Sequence, residues 1–270
     1  MCMEQFYVVL GNCRIPGLPE DSLRMRRASF DDLKLSSHIC VFVSGQVFEV
    51  ACYHPDSGQP CSVAELSASL DRCLHLATSS KTSSDGVGVC TSLPRDDWAK
   101  LYGKLRRDPQ NADVLDSIES SLIVVCLDKA THVPLSENQL RDRKPTPGYS
   151  RSLFISPRET ANASNTLHGF GPLKKEGNSS NRWFDKTIQL ITSRDGSVGV
   201  NFEHTPSDAG AIIALVNAML TREKQGSIET SDSMSLIRSG NLDRMVRTLA
   251  WNLDSADQEM TSRAGDNIQT

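Results

Sequence analysis

The chain has no C-x-x-C pair, no H-E-x-x-H helix, no G-x-S-x-G elbow, no phosphate-binding G-x-x-x-x-G-K-[ST] loop and no G-x-G-x-x-G fingerprint. A zinc protease, a serine hydrolase, a nucleotide hydrolase and a dinucleotide enzyme therefore each lack a necessary part. No apolar run approaches the roughly 20 residues a membrane-spanning helix needs. Nor is there an excess of basic charge: 29 Lys and Arg against 33 Asp and Glu leave a net charge of -4, which gives no electrostatic reason to expect nucleic acid as a partner. The eight cysteines are scattered among apolar neighbours. They read as reduced core residues of an intracellular protein, with neither a disulfide framework nor a metal site.

What is present suits a globular α/β protein. At 270 residues with 38% hydrophobic and 23% charged positions, the chain is long enough to bury a sizeable core. The stretch Asn178 to Asp208 organises the reading. Apolar and β-branched residues from Trp183 to Thr192 suit a strand, Asp195-Gly196 supplies a turn, and Val198 to Phe202 returns antiparallel. Alternation puts Val198, Val200, Phe202 and His204 on one face and Asn201 and Glu203 on the other. Thr205-Pro206-Ser207-Asp208 reads as an N-cap, a Pro at the first helical position and an acidic residue shortly after, opening a helix with an inward stripe of Ile212, Leu215, Val216, Met219 and Leu220. A histidine at the end of a core-facing strand and before a helix N-terminus is expected to be desolvated and to meet the positive end of the dipole, both of which disfavour the imidazolium. His204 is thus a candidate general base; the plainer reading is an ordinary strand-end histidine.

Elsewhere, His38–Val43 and Val47–Tyr53 predict a second hairpin around Ser44-Gly45-Gln46, and Ser62-Val63-Ala64-Glu65 is a capping box before a helix striped by Leu66, Leu70, Cys73, Leu74 and Ala77. Gly86–Thr91 reads as a short buried strand. Pro94 opens a helix with Trp98, Leu101, Tyr102 and Leu105 inside, and a helix over Ala112–Glu119 leads to a strand over Leu122–Leu127. Strands alternating with helices specify a mixed β-sheet flanked by helices. The segments are 1–36, mostly irregular; 37–225, an α/β domain carrying the histidine, with a proline-rich insertion or lid at about 129–181; and 226–270, a linker and the start of a further helix. Arg24 to Ser29, R-M-R-R-A-S, has the form of a basophilic kinase site, though a solvated loop explains it as well.

The runs Asn181-Arg182-Trp183-Phe184-Asp185-Lys186, Arg194-Asp195-Gly196 and Glu203-His204, with Phe6–Gly17 near the N-terminus and Ser121–Asp128 in mid-chain, resemble in order the motifs of the choline/carnitine acyltransferase family. Leu167-His168-Gly169 is similar to a glycine-rich turn of that family, with Phe170 departing from it. The resemblance implies one of two chloramphenicol-acetyltransferase-like domains around a substrate tunnel, whose other half would follow the present C-terminus. It also implies His204 as the base that moves a proton between the hydroxyl of carnitine or choline and the thiol of coenzyme A. Asp208 falls where the family carries a carboxylate and would orient the loop or favour the imidazolium as it forms; capping of the helix N-terminus explains it as well. Coenzyme A or acyl-CoA would be a co-substrate rather than a tightly bound cofactor, and the location would be mitochondrial, peroxisomal or cytoplasmic. Thr205–Asp208 lacks the tryptophan of long-chain members, and Phe184 with D-K-T-I-Q leans toward a short- or medium-chain carnitine enzyme, with a choline enzyme or an inactive binding fragment as alternatives.

Overall fold

The computed structural model describes residues 9–25, 38–54, 56–79, 86–130, 157–169, 177–225 and 242–267. Phe6–Val8, the Ser29 motif, residues 131–156, and Phe170 with Gly171 lie outside the described residues. A small hairpin, β1 (Cys13–Ile15) and β2 (Ser22–Arg24), precedes the central sheet. That sheet has six strands in the order β7-β6-β5-β3-β4-β8. They are β3 (His38–Val43), β4 (Gln46–Ala51), β5 (Val124–Asp128), β6 (Ile188–Ser193), β7 (Val198–Phe202) and β8 (Val246–Leu249). The central pairs β3–β5 and β5–β6 are parallel, and the outer pairs are antiparallel. The expected mixed sheet flanked by helices is what forms.

Local chemistry explains both hairpins. Ser44 and Gly45 have φ of 51° and 77°, the two left-handed residues that a tight turn between twisted strands requires. The β6–β7 loop is one residue longer than the expected Asp-Gly turn. Ser193 N–H donates to the Ser197 carbonyl at 3.0 Å, so Arg194–Gly196 form a three-residue loop, with Gly196 left-handed at φ 82°. Trp183–Thr187 do not belong to β6 as expected. Their backbone is used by the N-terminal segment instead: Arg14 N–H donates to the Asp185 carbonyl at 2.8 Å, and Cys13 bridges Lys186.

Helices cover both sheet faces. On one side lies α1 (Val63–Ser79), whose Cys73 and Ala77 pack on Val41, Val43, Phe48, Val50 and Val125. Its capping box forms as the sequence predicts, with Ser62 N–H donating to Glu65 Oε2 at 2.8 Å and Glu65 N–H to Ser62 Oγ at 3.2 Å. Beside it α5 (Ala209–Gln225) packs Ala211 and Ile212 on Ile188, Leu190 and Val200. The other face holds α2 (Arg95–Leu105), α3 (Pro109–Ser120), α4 (Pro157–His168) and α7 (Ser255–Asn267); α6 (Leu242–Met245) is a single turn leading into β8. The core on this face is built around Trp98 and Trp183, edge-to-face at 5.8 Å, with Trp251 stacked on Trp183 at 6.4 Å.

Two further elements differ from expectation. Val87–Ser92 is a buried 3-10 turn rather than a strand, closed by Val89 N–H to the Gly86 carbonyl and by Thr91 Oγ1 to the Gly88 carbonyl. Gly88 lies so close to the neighbouring backbone that an added Cβ would sit 2.4 Å from the Arg182 carbonyl oxygen, a contact no sheet register provides. The helix after His204 starts at Ala209, because Thr205 is held elsewhere, and its outer turns leave Ile213, Met219 and Leu220 at 58%, 43% and 49% exposure. Met219 and Leu220, expected inward, therefore face solvent.

Candidate active site

The three sequence blocks that lie far apart in the chain meet in space. Thr187 Oγ1 donates to the Asn12 carbonyl at 2.8 Å, tying the N-terminal motif to the Asn181–Lys186 run, and β5 from the mid-chain block lies parallel to β6. Arg182 is fully buried and forks onto Asp128 at the end of β5, Nη1 to Oδ1 at 3.1 Å and Nη2 to Oδ2 at 2.5 Å. The same guanidinium donates to the Thr166 and Leu167 carbonyls, satisfying the C-terminus of α4. Lys186, also fully buried, donates to the Ile118 and Glu119 carbonyls at 3.1 and 2.9 Å and so caps α3; burial pulls its ammonium down to about 8. Asp185 accepts from Trp98 Nε1 and Arg95 Nη1, both at 2.7 Å. Burial pushes its carboxyl up to about 6 against the opposing pull of Arg95. The most specific motif of the sequence is thus a buried junction of strands and helix ends.

From that junction a chain of ion pairs runs outward. Arg95 Nε reaches Asp21 at 2.8 Å, Asp21 takes Arg14 Nε at 2.7 Å, and Arg14 lies 3.9 Å from Glu203. Burial raises the Asp21 carboxyl, but the hydrogen bonds and charges of Arg95, Gly17 N–H and Arg14 outweigh it and hold the carboxyl below its ordinary value. Glu203, anchored by its N–H to the Thr187 carbonyl, accepts from Thr205 N–H at 3.0 Å and Thr205 Oγ1 at 2.6 Å. These bonds take Thr205 away from the capping role expected of it and fix the turn around His204. Sequence reasoning missed Arg14, Asp21 and Arg95. The available signal was the charge of Arg14 inside the otherwise apolar run Cys13–Ile15.

His204 lies two residues past the last residue of β7, Phe202, whose ring centroid is 5.6 Å from the imidazole. Asn201, on the opposite face as expected, donates to the Leu167 carbonyl at 2.6 Å. His204 Nδ1 lies 4.0 Å from Asp208 Oδ1, so the structure brings the two sequence-predicted site residues together, beyond direct hydrogen-bond reach. The expected desolvation is not there. The His204 side chain is 65% exposed and that of Asp208 69%, because β7 is the edge strand of the sheet and α5 covers only its inner part. A cavity of about 320 Å³ adjoins this turn, lined by Arg14, Asp21, Ser22, Leu23 and Thr205; His204 itself is not in its lining. His168, the other motif-like histidine, is the last residue of α4, with its ring 6.3 Å from that of Phe184, and Gly169 beyond it is left-handed at φ 75°. Among the described residues no group of three His, Cys, Asp or Glu is placed to hold a metal ion, and no helix is long and apolar enough to cross a membrane.

The sequence profile of the Choline/Carnitine o-acyltransferase family matches residues 1–270. Carnitine O-acetyltransferase of Columba livia is 34% identical over 268 residues, 99% of this chain and 37% of that protein, and the Rattus norvegicus enzyme is 32% identical over the same shares. Choline O-acetyltransferase of Drosophila melanogaster is 34% identical over 219 residues, 80% of this chain and 29% of that protein. The chain thus spans 37% of the length of the two carnitine enzymes and 29% of that of the choline enzyme. Over that span, the chain belongs to the choline/carnitine acyltransferase family.

Proposed function

We propose that this chain carries the histidine side of an acyl-transfer site that moves a short- or medium-chain acyl group between coenzyme A and the hydroxyl of carnitine. His204 is the general base. It takes the proton of the attacking hydroxyl, and in the reverse direction that of the coenzyme A thiol, so that the oxygen or sulfur attacks the acyl carbonyl and the other departs. Asp208 orients the imidazole and favours the imidazolium as it forms. No nucleophile of the protein enters: the hydroxyl attacks the thioester directly.

The observation that carries this reading is the pairing of His204 with Asp208 at 4.0 Å, at a turn fixed by Glu203, within a family whose similar relatives are named for acetyl transfer to carnitine. The acceptor is read as carnitine rather than choline because carnitine enzymes matching 99% of this chain are 34% and 32% identical to it, against 27% and 26% for choline enzymes matching all of it. An imidazole that is 65% exposed is solvated, so the base works only once acyl-CoA and acceptor, on binding, exclude water from it. The same exposure favours one second reading, a chain that binds substrate or partner without turnover. Acetyl transfer from acetyl-CoA to carnitine, followed by thiol release with wild type and His204→Ala, decides between them. Turnover lost in the variant supports the enzyme, and none with either protein supports the binding chain. Substituting choline for carnitine as acceptor tests the substrate assignment separately.

A further inference from the structure

Far from the histidine, the end of β4 and the start of α1 bring two cysteines face to face. Tyr53 and Pro60 form an antiparallel bridge, and the same register continues on either side. His54 N–H donates to the Gln59 carbonyl at 2.9 Å, and Cys61 N–H to the Cys52 carbonyl at 2.8 Å. Cys52 therefore stands directly opposite Cys61. Directly opposed residues of an antiparallel pair project from the same face, with Cα atoms roughly 5.5 Å apart in a hydrogen-bonded pair. A disulfide spans about 4.4–6.8 Å between Cα atoms. The Cys61 thiol donates to the carbonyl of Ala51, the residue before Cys52, at 3.6 Å.

Accessibility separates this pair from the other cysteines among the described residues. Cys52 and Cys61 are free and only half-buried, whereas Cys13, Cys40, Cys73, Cys90 and Cys126 are free and buried. Each thiol is pushed up, first by burial and then by a neighbour: Cys52 to about 11, with Cys61 adding to the rise, and Cys61 by the nearby Glu65 carboxylate. These environments keep both thiols protonated and slow to react near neutrality.

We propose that Cys52 and Cys61 are a disulfide-forming pair, oxidised by a low-molecular-weight disulfide of the glutathione type. One cysteine thiolate attacks a sulfur of the oxidant, whose S–S bond breaks as one small thiolate leaves, giving a mixed disulfide. The second cysteine thiolate then attacks the protein-side sulfur, forms the Cys52–Cys61 bond and expels the other small thiolate. The two thiol protons pass to the two departing thiolates, and two electrons pass from the protein to the oxidant. Because the thiolate attacks, closure accelerates by about tenfold per pH unit from neutrality toward the pKa of the attacking thiol. The bond ties the end of β4 to the residue before the capping box of α1. The loop it clasps is already held to the β8 side of the sheet by Arg244 on Asp56 at 3.2 Å. In the strand order β6, β5 and β3 separate β4 from β7, so the pair is independent of the proposed acid-base site.

The test equilibrates the full chain in mildly alkaline glutathione buffers, from fully reduced to fully oxidised, quenches in acid, alkylates and maps the peptides by mass spectrometry. The expected result is a Cys52 peptide linked to a Cys61 peptide, two hydrogen masses lighter than the reduced pair. The buried cysteines are expected to alkylate only after unfolding. Oxidation should raise the thermal midpoint of the wild type by about 5 °C and leave Cys52→Ser and Cys61→Ser unmoved. Recovery of both peptides reduced, as glutathione adducts only, or linked to other cysteines would overturn the proposal. The wild-type linkage map decides this even if a serine variant fails to fold.

Discussion

Burial of Asp185 leaves a carboxyl that ionises in the folded protein near pH 6, against an ordinary value of 3.8. Between these values the unfolded chain has already lost the proton and the folded one retains it. Stability is therefore fully present below about pH 4 and is lost as pH rises through 6. Asp185→Asn should flatten that part of the stability curve, measured by denaturant unfolding at a series of pH values; an unchanged slope would show that Asp185 does not cause it. Arg182 makes a second residue-scale case. Its removal as Arg182→Leu strands the Asp128 carboxylate with 0% side-chain exposure, and should cost about 3–5 kcal/mol in the same unfolding assay. The sequence marks these residues as a motif but not as a junction. Their partners, Asp128, Ile118, Trp98 and Arg95, are distant in the chain, and only the tertiary packing of β5, α2 and α3 supplies them.

At the level of elements, legibility follows whether the determinant is local. The turn at Ser44-Gly45, the capping box Ser62–Glu65 and the inner face of α2 are specified by neighbouring residues and are readable without a structure. Val87–Ser92 is not, because its apolar run fits a strand until Gly88 is found against the Arg182 and Ser180 carbonyls. Two substitutions separate these cases. Ser62→Ala, which loses the two hydrogen bonds of the Ser62 hydroxyl in the capping box, should lower stability by about 1 kcal/mol. Gly88→Ala places a methyl carbon 2.4 and 2.7 Å from backbone oxygens that cannot swing aside, and should cost more than the capping change. Equal losses in the two variants would remove the case for a tertiary origin of the 3-10 turn. The position of β7 at the sheet edge was likewise hidden. Alternation tells which residues share a face, and strand order decides whether that face is covered.

Across the whole molecule, the edge position of β7 leaves Phe202 36% exposed beside His204 and Val198, at the other end of the strand, 76% exposed, with Ile213, Met219 and Leu220 exposed on α5. These side chains are open apolar surface rather than core. Ile213→Ala should change stability by less than about 0.5 kcal/mol and reduce the binding of a hydrophobic dye, whereas Ile212→Ala, one residue away and 3% exposed, should cost about 2–5 kcal/mol. The fold class and the family were legible because three motifs survive in order. The openness of the histidine was not, because it depends on which surfaces lie against the sheet. That openness also makes the central claim accessible to small molecules. The most direct test is rescue of His204→Ala by free imidazole during acetyl transfer from acetyl-CoA to carnitine. The account predicts turnover in the wild type, loss in the variant, and a return of rate that grows with the concentration of neutral imidazole; equal turnover in the two proteins, or none in either, contradicts it.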